Sequence, residues 1–140
     1  MTPEEARRRF ASARLAHLAT ADADGRPHLV PIVFAVDGDV VYSAVDHKPK
    51  RTTALRRLAN IAENPSVALL VDYYDDDWSR LWWARADGTG RLVAPGSDEQ
   101  RRAVCQLVSR YGAYADRPPA GPVLVVDVSR WSGWTGGRAL

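Results

Sequence analysis

The stretch RLAHLATADADGRPHLVPIVFAVDGDVVYSAV, residues 14–45, decides the fold. Arg14 to Ala21 reads as a strand closed by the turn signal Asp24-Gly25. Pro27 to Val36 reads as a second strand, Asp37-Gly38 as a tight turn, and Val40 to Val45 as a third strand. Three strands joined by such short connections predict an antiparallel meander, because parallel neighbours need a long crossover between them.

Outward from this stretch, strands continue to dominate. On the N-terminal side, Thr2-Pro3-Glu4-Glu5 combines an N-cap, a proline at the first helical position and a capping-box glutamate, predicting a short helix to about Ala13. On the other side, Asp46 to Arg51 is loop, since Pro49 disfavours helical backbone at Lys48. Thr52 or Thr53 then caps a helix in which Leu55, Leu58, Ala59 and Ala62 fall at helical spacing, and Asn64-Pro65 ends it. Val67 to Tyr74 is an apolar strand, followed by the acidic loop Asp75-Asp76-Asp77. Arg80 to Val93 is a strand or a hairpin kinked at Gly88 and Gly90. Ser97 with Gln100 opens a helix carrying Val104, Leu107, Val108 and Tyr111 on one face. A proline-rich loop, 116–122, leads to a last strand from Val123 to Val128. The order αβββαββαβ has too few helices for a doubly wound sheet. It predicts a mainly β fold with flanking helices, a closed or partly split antiparallel barrel, as one domain over residues 1–140.

Composition narrows the function. The chain has 140 residues, 46% hydrophobic and 26% charged, which is ordinary for a soluble globular domain. No apolar run approaches the roughly 20 residues of a membrane helix, and residues 1–5 have no signal-peptide character. The expectation is a cytoplasmic protein without a membrane partner. Cys105 is the single cysteine, so no intrachain disulfide can form. A net charge of +2 gives no reason to expect nucleic acid as a partner. Among 19 basic residues only Lys48 and Lys50 are lysines, two positions apart.

Those lysines belong to the strongest chemical motif. Lys48, Lys50, Arg51 and Thr52 stand at a loop-to-helix junction, where unpaired N–H groups and the positive end of the helix dipole favour an anion. Phosphate suits both the compact ammonium and the forked guanidinium; the competing reading is a solvated basic loop. Tryptophan is the second signal. Trp82 and Trp83 are neighbours in a strand and must point to opposite faces, so one should face outward, towards a partner or a ligand. The alternative is a wide core wrapped by loops. Asp75-Asp76-Asp77 lacks convergent geometry for a metal and reads as solvated turn acids; no metal site is expected. His17, mid-strand, reads as a packing residue. His28, at the start of the second strand, is a functional candidate, as is His47, which lies in the basic loop where an anionic ligand could use it. Cys105, on the apolar side of its helix, reads as a buried inert thiol. Gly88-Thr89-Gly90 lacks the third glycine of a dinucleotide fingerprint, and no acid–base or nucleophile constellation is visible. Catalytic side chains are therefore unassigned. An anion pocket with aromatic walls suits chemistry carried by a bound cofactor.

Gly25-Arg26-Pro27-His28-Leu29-Val30-Pro31-Ile32 resembles the second strand of the pyridoxamine-phosphate-oxidase-like split-barrel superfamily. Residues 42–65, with Lys48, Pro49, Lys50, Arg51, Leu55, Arg57, Asn60, Ile61, Asn64 and Pro65, resemble its phosphate loop and helix. Residues 77–88 are similar to a later strand, and the resemblance spans roughly residues 5–131, most closely in the branch of probable coenzyme F420-dependent enzymes. It implies an FMN-binding type of split barrel and a homodimer with two cofactor sites at the interface. The ring would lie against Leu29, Val30, Pro31 and Ile32, bordered by Ser43 and Ala44. Lys48, Lys50 and Arg51 would take the phosphate, with Trp78 and Trp83 supplied by the other subunit. The chain departs from the pyridoxamine-phosphate oxidases themselves, which resemble it but carry glutamine where Trp83 stands and arginine where His28 or Leu29 stands. The resemblance thus implies a deazaflavin (F420)-dependent oxidoreductase passing hydride to a small organic acceptor. The alternatives are an FMN-dependent oxidoreductase of the same fold and a non-catalytic carrier of the cofactor.

Overall fold

The structure is a computed structural model describing residues 1–44 and 52–137, the first four residues of the second segment by their helical backbone alone. Its elements in chain order are α1 (Pro3–Ser12), β1 (Ala16–Ala21), β2 (Pro27–Ile32), β3 (Ala35–Asp37), β4 (Val40–Ala44), α2 (Thr52–Glu63), β5 (Ser66–Tyr73), a single 3-10 turn (Trp78–Arg80), β6 (Trp82–Val93), α3 (Asp98–Arg110), α4 (Gly112–Asp116) and β7 (Val123–Thr135). The strands form one seven-stranded sheet in the order β2-β1-β5-β6-β7-β4-β3, every pairing antiparallel.

That order forces the sheet to curl. Its two edge strands, β2 and β3, are consecutive in the chain and separated only by Val33 and Phe34. Three residue steps reach at most about 11 Å, so the edges must lie side by side at this point. They are not hydrogen-bonded to each other as a ladder, and the barrel is split there. Side chains hold the gap instead. The Tyr111 hydroxyl accepts from the Phe34 N–H at 3.1 Å and lies 2.8 Å from the Phe34 carbonyl, while the Ser43 hydroxyl donates to the Val33 carbonyl at 2.9 Å.

The expected meander is therefore corrected. The second strand is two strands, and only the β1–β2 and β3–β4 hairpins form, at opposite edges of the sheet. Hairpin signals specify local pairing but not which strands join later, and β5, β6 and β7 enter between the two hairpins. The 80–93 segment is one strand rather than a hairpin, bulged at Asp87/Gly88. Glycine is required at 88, since a Cβ would fall 2.3 Å from the Asp127 carbonyl oxygen. The last strand runs seven residues beyond its expected end and carries Trp131 and Trp134.

Inside the barrel lies one main core. Leu18, Val30, Ile32, Val41, Leu69, Val71, Ala84, Ala86, Leu124 and Val126 come from alternate positions of the strands. Helix α1 closes one end with Phe10, whose ring lies 5.0 Å from that of Phe34 and 5.3 Å from that of Trp131. The α1 and α3 caps form as expected, Thr2 accepting from Glu5 N–H and Ser97 from Gln100 N–H. Helix α2 buries Asn60 and Ile61, not the expected Ala59 and Ala62, which are exposed. The helical period is right and its phase is turned, because Asn60 is drawn inward to a polar partner. No helix among the described residues is long and apolar enough to cross a membrane.

Candidate functional site

The same alternation that fills the core creates a second surface. In β1, Ala16, Leu18 and Thr20 are buried, and His17 and Ala19 face outward. In β5, Val67, Leu69 and Val71 point in, leaving Ala68, Leu70 and Asp72 outside. In β6, Ala84 and Ala86 point in while Trp83 and Arg85 do not. The registers align these outward residues in rows across the sheet: Pro31, His17, Leu70, Arg85 and Ser132 in one, Leu29, Ala19, Ala68 and Asp87 in the next, and Asp72, Trp83 and Trp134 in a third.

This outer face is apolar. Leu29 is 67% exposed and Trp134 47%, with Leu70, Tyr73 and Tyr74 also open to solvent. Together with His17, Trp83 and Arg85 they line an open cavity of about 730 Å³. Large contiguous apolar exposure of this kind marks a binding surface. The expectation that one of Trp82 and Trp83 faces outward is met. Trp82 leans on the core, stacks on Tyr73 at 6.4 Å and carries Arg9 over its ring, whereas Trp83 stands on the outer face under Arg85.

Each sequence-predicted site residue has a place, or falls outside the description. Leu29 and Pro31 lie on the outer side of β2, and Val30 and Ile32 are core residues whose backbone alone borders the sheet edge. Among the described residues strand β2 pairs only with β1, so its other edge is open to a further partner, with fewer donors because Pro27 and Pro31 have no N–H. Ser43 and Ala44 are buried at the end of β4, with the Ser43 hydroxyl bonded to the Val33 carbonyl in the β2–β3 connection. Thr52 is the first residue of α2. Lys48, Lys50, Arg51 and His47 lie outside the described residues. Trp78 is 69% exposed in the 3-10 turn capped by Asp77 and does not line its own chain's cavity.

The chain around α2 is anchored by polar contacts. The Asn60 amide donates to the Thr20 hydroxyl at 3.0 Å, buried, and Glu63 accepts from Ala23 N–H at 3.2 Å. These hold the C-terminal half of the helix against β1 and the turn that follows it. His28 is the direct cross-strand neighbour of Thr20 and shares the inward side of β2 with Val30. Its Nδ1 is buried and has no hydrogen-bond partner among the described residues.

Two expectations are corrected. His17 is not a packing residue; with Ala16, Leu18 and Thr20 taking the core, strand periodicity puts it on the outer face, in the wall of the cavity. Cys105 is exposed, because α3 buries Gln100, Ala103 and Leu107, and a residue two positions from Ala103 lies on the far side of the helix. The acidic loop is a hydrogen-bonded turn. Asp75 accepts from Asp77 N–H, Tyr73 OH and Arg80, and the first of these is the main reason its carboxyl sits below the usual range. Among the described residues no group of three His, Cys, Asp or Glu could hold a metal ion. Sequence reasoning missed His17, Leu70, Arg85 and Trp134 as members of one surface. Strict alternation in Ala16–Ala21 was a usable signal for His17; the others depend on register.

Comparisons with known proteins agree with this geometry. The sequence model of the family described as pyridoxamine 5'-phosphate oxidase matches residues 2–135. No curated protein matches by sequence. Among solved structures, a conserved hypothetical protein, Rv2991, from Mycobacterium tuberculosis is similar with a TM-score of 0.73 at 21% identity, covering 97% of this chain and 86% of its own. The heme storage protein HutZ of Vibrio cholerae follows with a TM-score of 0.72 at 18% identity, covering 96% and 95%. A FAD-binding protein from Mesorhizobium loti is similar with a TM-score of 0.69 at 20% identity, covering 95% and 92%. At these identities the structures show a shared fold.

Proposed function

The chain belongs to the pyridoxamine 5'-phosphate oxidase family, and on that premise we propose that it is a homodimeric oxidoreductase dependent on the deazaflavin coenzyme F420. What supports this reading is that the chain supplies the three parts such a cofactor needs: a β2 edge that pairs with no strand among the described residues, an apolar outer face that includes Leu29, and a helix that starts at Thr52 directly after the Lys48–Arg51 cations of the sequence. A planar ring needs an apolar face and backbone polar groups along its rim, and an anionic tail needs cations at a helix start.

The backbone of Leu29–Ile32 would support the ring, with Ser43 and Ala44 at its border. Lys48, Lys50, Arg51 and Thr52 would hold the tail. A second copy packed against the outer face would roof the cavity over Leu29 and Leu70 without filling it, exclude bulk water, and bring Trp78 and Trp83 of the partner subunit to the ring. A reduced deazaflavin, when bound, supplies hydride; the residues of this chain orient it and exclude solvent.

Titration with coenzyme F420, followed by intrinsic tryptophan fluorescence, tests the reading. A saturable change at micromolar cofactor is expected, weakened when Lys48, Lys50 and Arg51 are all changed to alanine. Absence of saturation overturns it. FMN in the same place is the second reading, favoured by the flavin bound by the similar protein of M. loti; it predicts protein purified yellow. A carrier would retain reduced cofactor without oxidising it in the presence of activated alkenes or quinones.

A further inference from the structure

We propose that the cavity on the outer sheet face binds a flat hydrophobic molecule carrying a single carboxylate, which Arg85 receives while His17 hydrogen-bonds the opposite end. Calling this molecule the hydride acceptor rests on the oxidoreductase reading; its binding does not.

The register sets the spacing. His17 pairs with Leu70, and Leu70 pairs with Arg85, so the imidazole and the guanidinium are two strands apart with an apolar side chain between them. Adjacent strands lie about 4.8 Å apart, which separates the two backbone positions by roughly 10 Å, a span on the scale of a two-ring aromatic body with its substituents. Leu29 bounds the cavity at one end, and Trp83 with its cross-strand neighbour Trp134 at the other. These flat walls favour a flat guest.

Arg85 is prepared for an acid. Its Nε donates to Asp87 at 3.0 Å and the group lies 5.7 Å from the Trp83 ring centre, which fixes its plane. Its terminal nitrogens have no partner among the described residues, leaving one edge of the fork for two parallel bonds to a carboxylate. Asp87 beside it and Asp72, the only carboxylate lining the cavity among the described residues, disfavour a dianion. A carboxylate is therefore the better match than a phosphate.

Calorimetric titration with 6-hydroxy-2-naphthoate, its carboxamide, and 2-naphthoate tests this on the parent chain and on Arg85→Met, Arg85→Lys and His17→Gln. On the parent, the hydroxy acid should bind saturably and about tenfold tighter than the amide, the worth of one charge-assisted bond. Arg85→Met should erase that preference and Arg85→Lys, which can still pair with Asp87, should keep part of it. His17→Gln should remove the advantage of the hydroxy acid over 2-naphthoate. Equal binding of acid and amide by the parent, or an acid preference that survives Arg85→Met, overturns the proposal. Coenzyme F420 affinity, measured on the same proteins, separates the two readings. Arg85-dependent naphthoate binding without F420 binding sinks the cofactor assignment alone, and F420 binding without naphthoate binding sinks this one alone.

Discussion

The inner and outer faces of the sheet are built from the same strands and much the same residues, yet only one is finished. Inward, Leu18, Leu69, Val71 and Ala84 meet Phe10, Phe34 and Trp131 and are buried. Outward, one residue along each strand, Leu29, Leu70, Trp83 and Trp134 meet no second layer among the described residues and enclose an open cavity. A sheet with one wetted face ordinarily alternates apolar with polar residues. Here the outer face keeps apolar and aromatic side chains along with His17 and Arg85. Burial within the chain accounts for the first face; the second makes physical sense with a partner or ligand upon it.

Removing one ring from the inner face should produce the largest effect. Phe10→Ala deletes contacts with Phe34 and Trp131 at the closed end of the barrel and should cost about 3–5 kcal/mol in urea unfolding. A loss below about 1 kcal/mol would mean the inner face is less tightly packed than these ring contacts imply. On the outer face, Leu29→Asp should leave unfolding nearly unchanged but raise the dissociation constant of the proposed homodimer by about a hundredfold, equivalent to about 2.7 kcal/mol, in sedimentation equilibrium. A variant that remains as dimeric as the parent would remove the second copy from this face.

Where the two faces meet at the split, Tyr111→Phe removes the hydroxyl that satisfies Phe34 N–H. It should cost about 1–3 kcal/mol, with faster amide exchange at Phe34 as its local signature. Unaltered exchange there would show that the clasp is dispensable. The smallest effect lies away from both faces. Hydrogen bonds from Arg91 hold Glu99 below its ordinary carboxylate value of 4.5, and its bond with Glu99, then Asp127, raises the pKa of Arg91. Because the folded value of Glu99 is depressed, its contribution is present above the unfolded pKa and is lost as pH falls through the acid range. Melting temperature should therefore drop on acidification below pH about 4.5, and Glu99→Gln should flatten a small part of that drop. An unchanged acid slope would assign it elsewhere.

Much of this was legible locally. The caps of α1 and α3, the hairpin turns at Gly25 and Gly38, and the opposed directions of Trp82 and Trp83 follow from neighbours in the chain. Resemblance carried β2 and the α2 region to the right superfamily. The phase of α2 is not legible locally, because Ala59 and Ala62 look apolar while the buried position belongs to Asn60, whose partner Thr20 is 40 residues away. Cys105 was misplaced for a similar reason, its helix having several apolar residues off the buried face.

The sequence by itself determined which segments are strands, that they pair antiparallel, and that cations gather before a helix, since turn chemistry, side-chain period and local charge act over a few residues. Only the tertiary structure decided that β5, β6 and β7 separate the two hairpins, that the barrel is split at Val33–Phe34, and that His17, Leu70 and Arg85 share one row. Those outcomes depend on pairing between strands distant in the chain, and register is settled by the core that all the strands fill together.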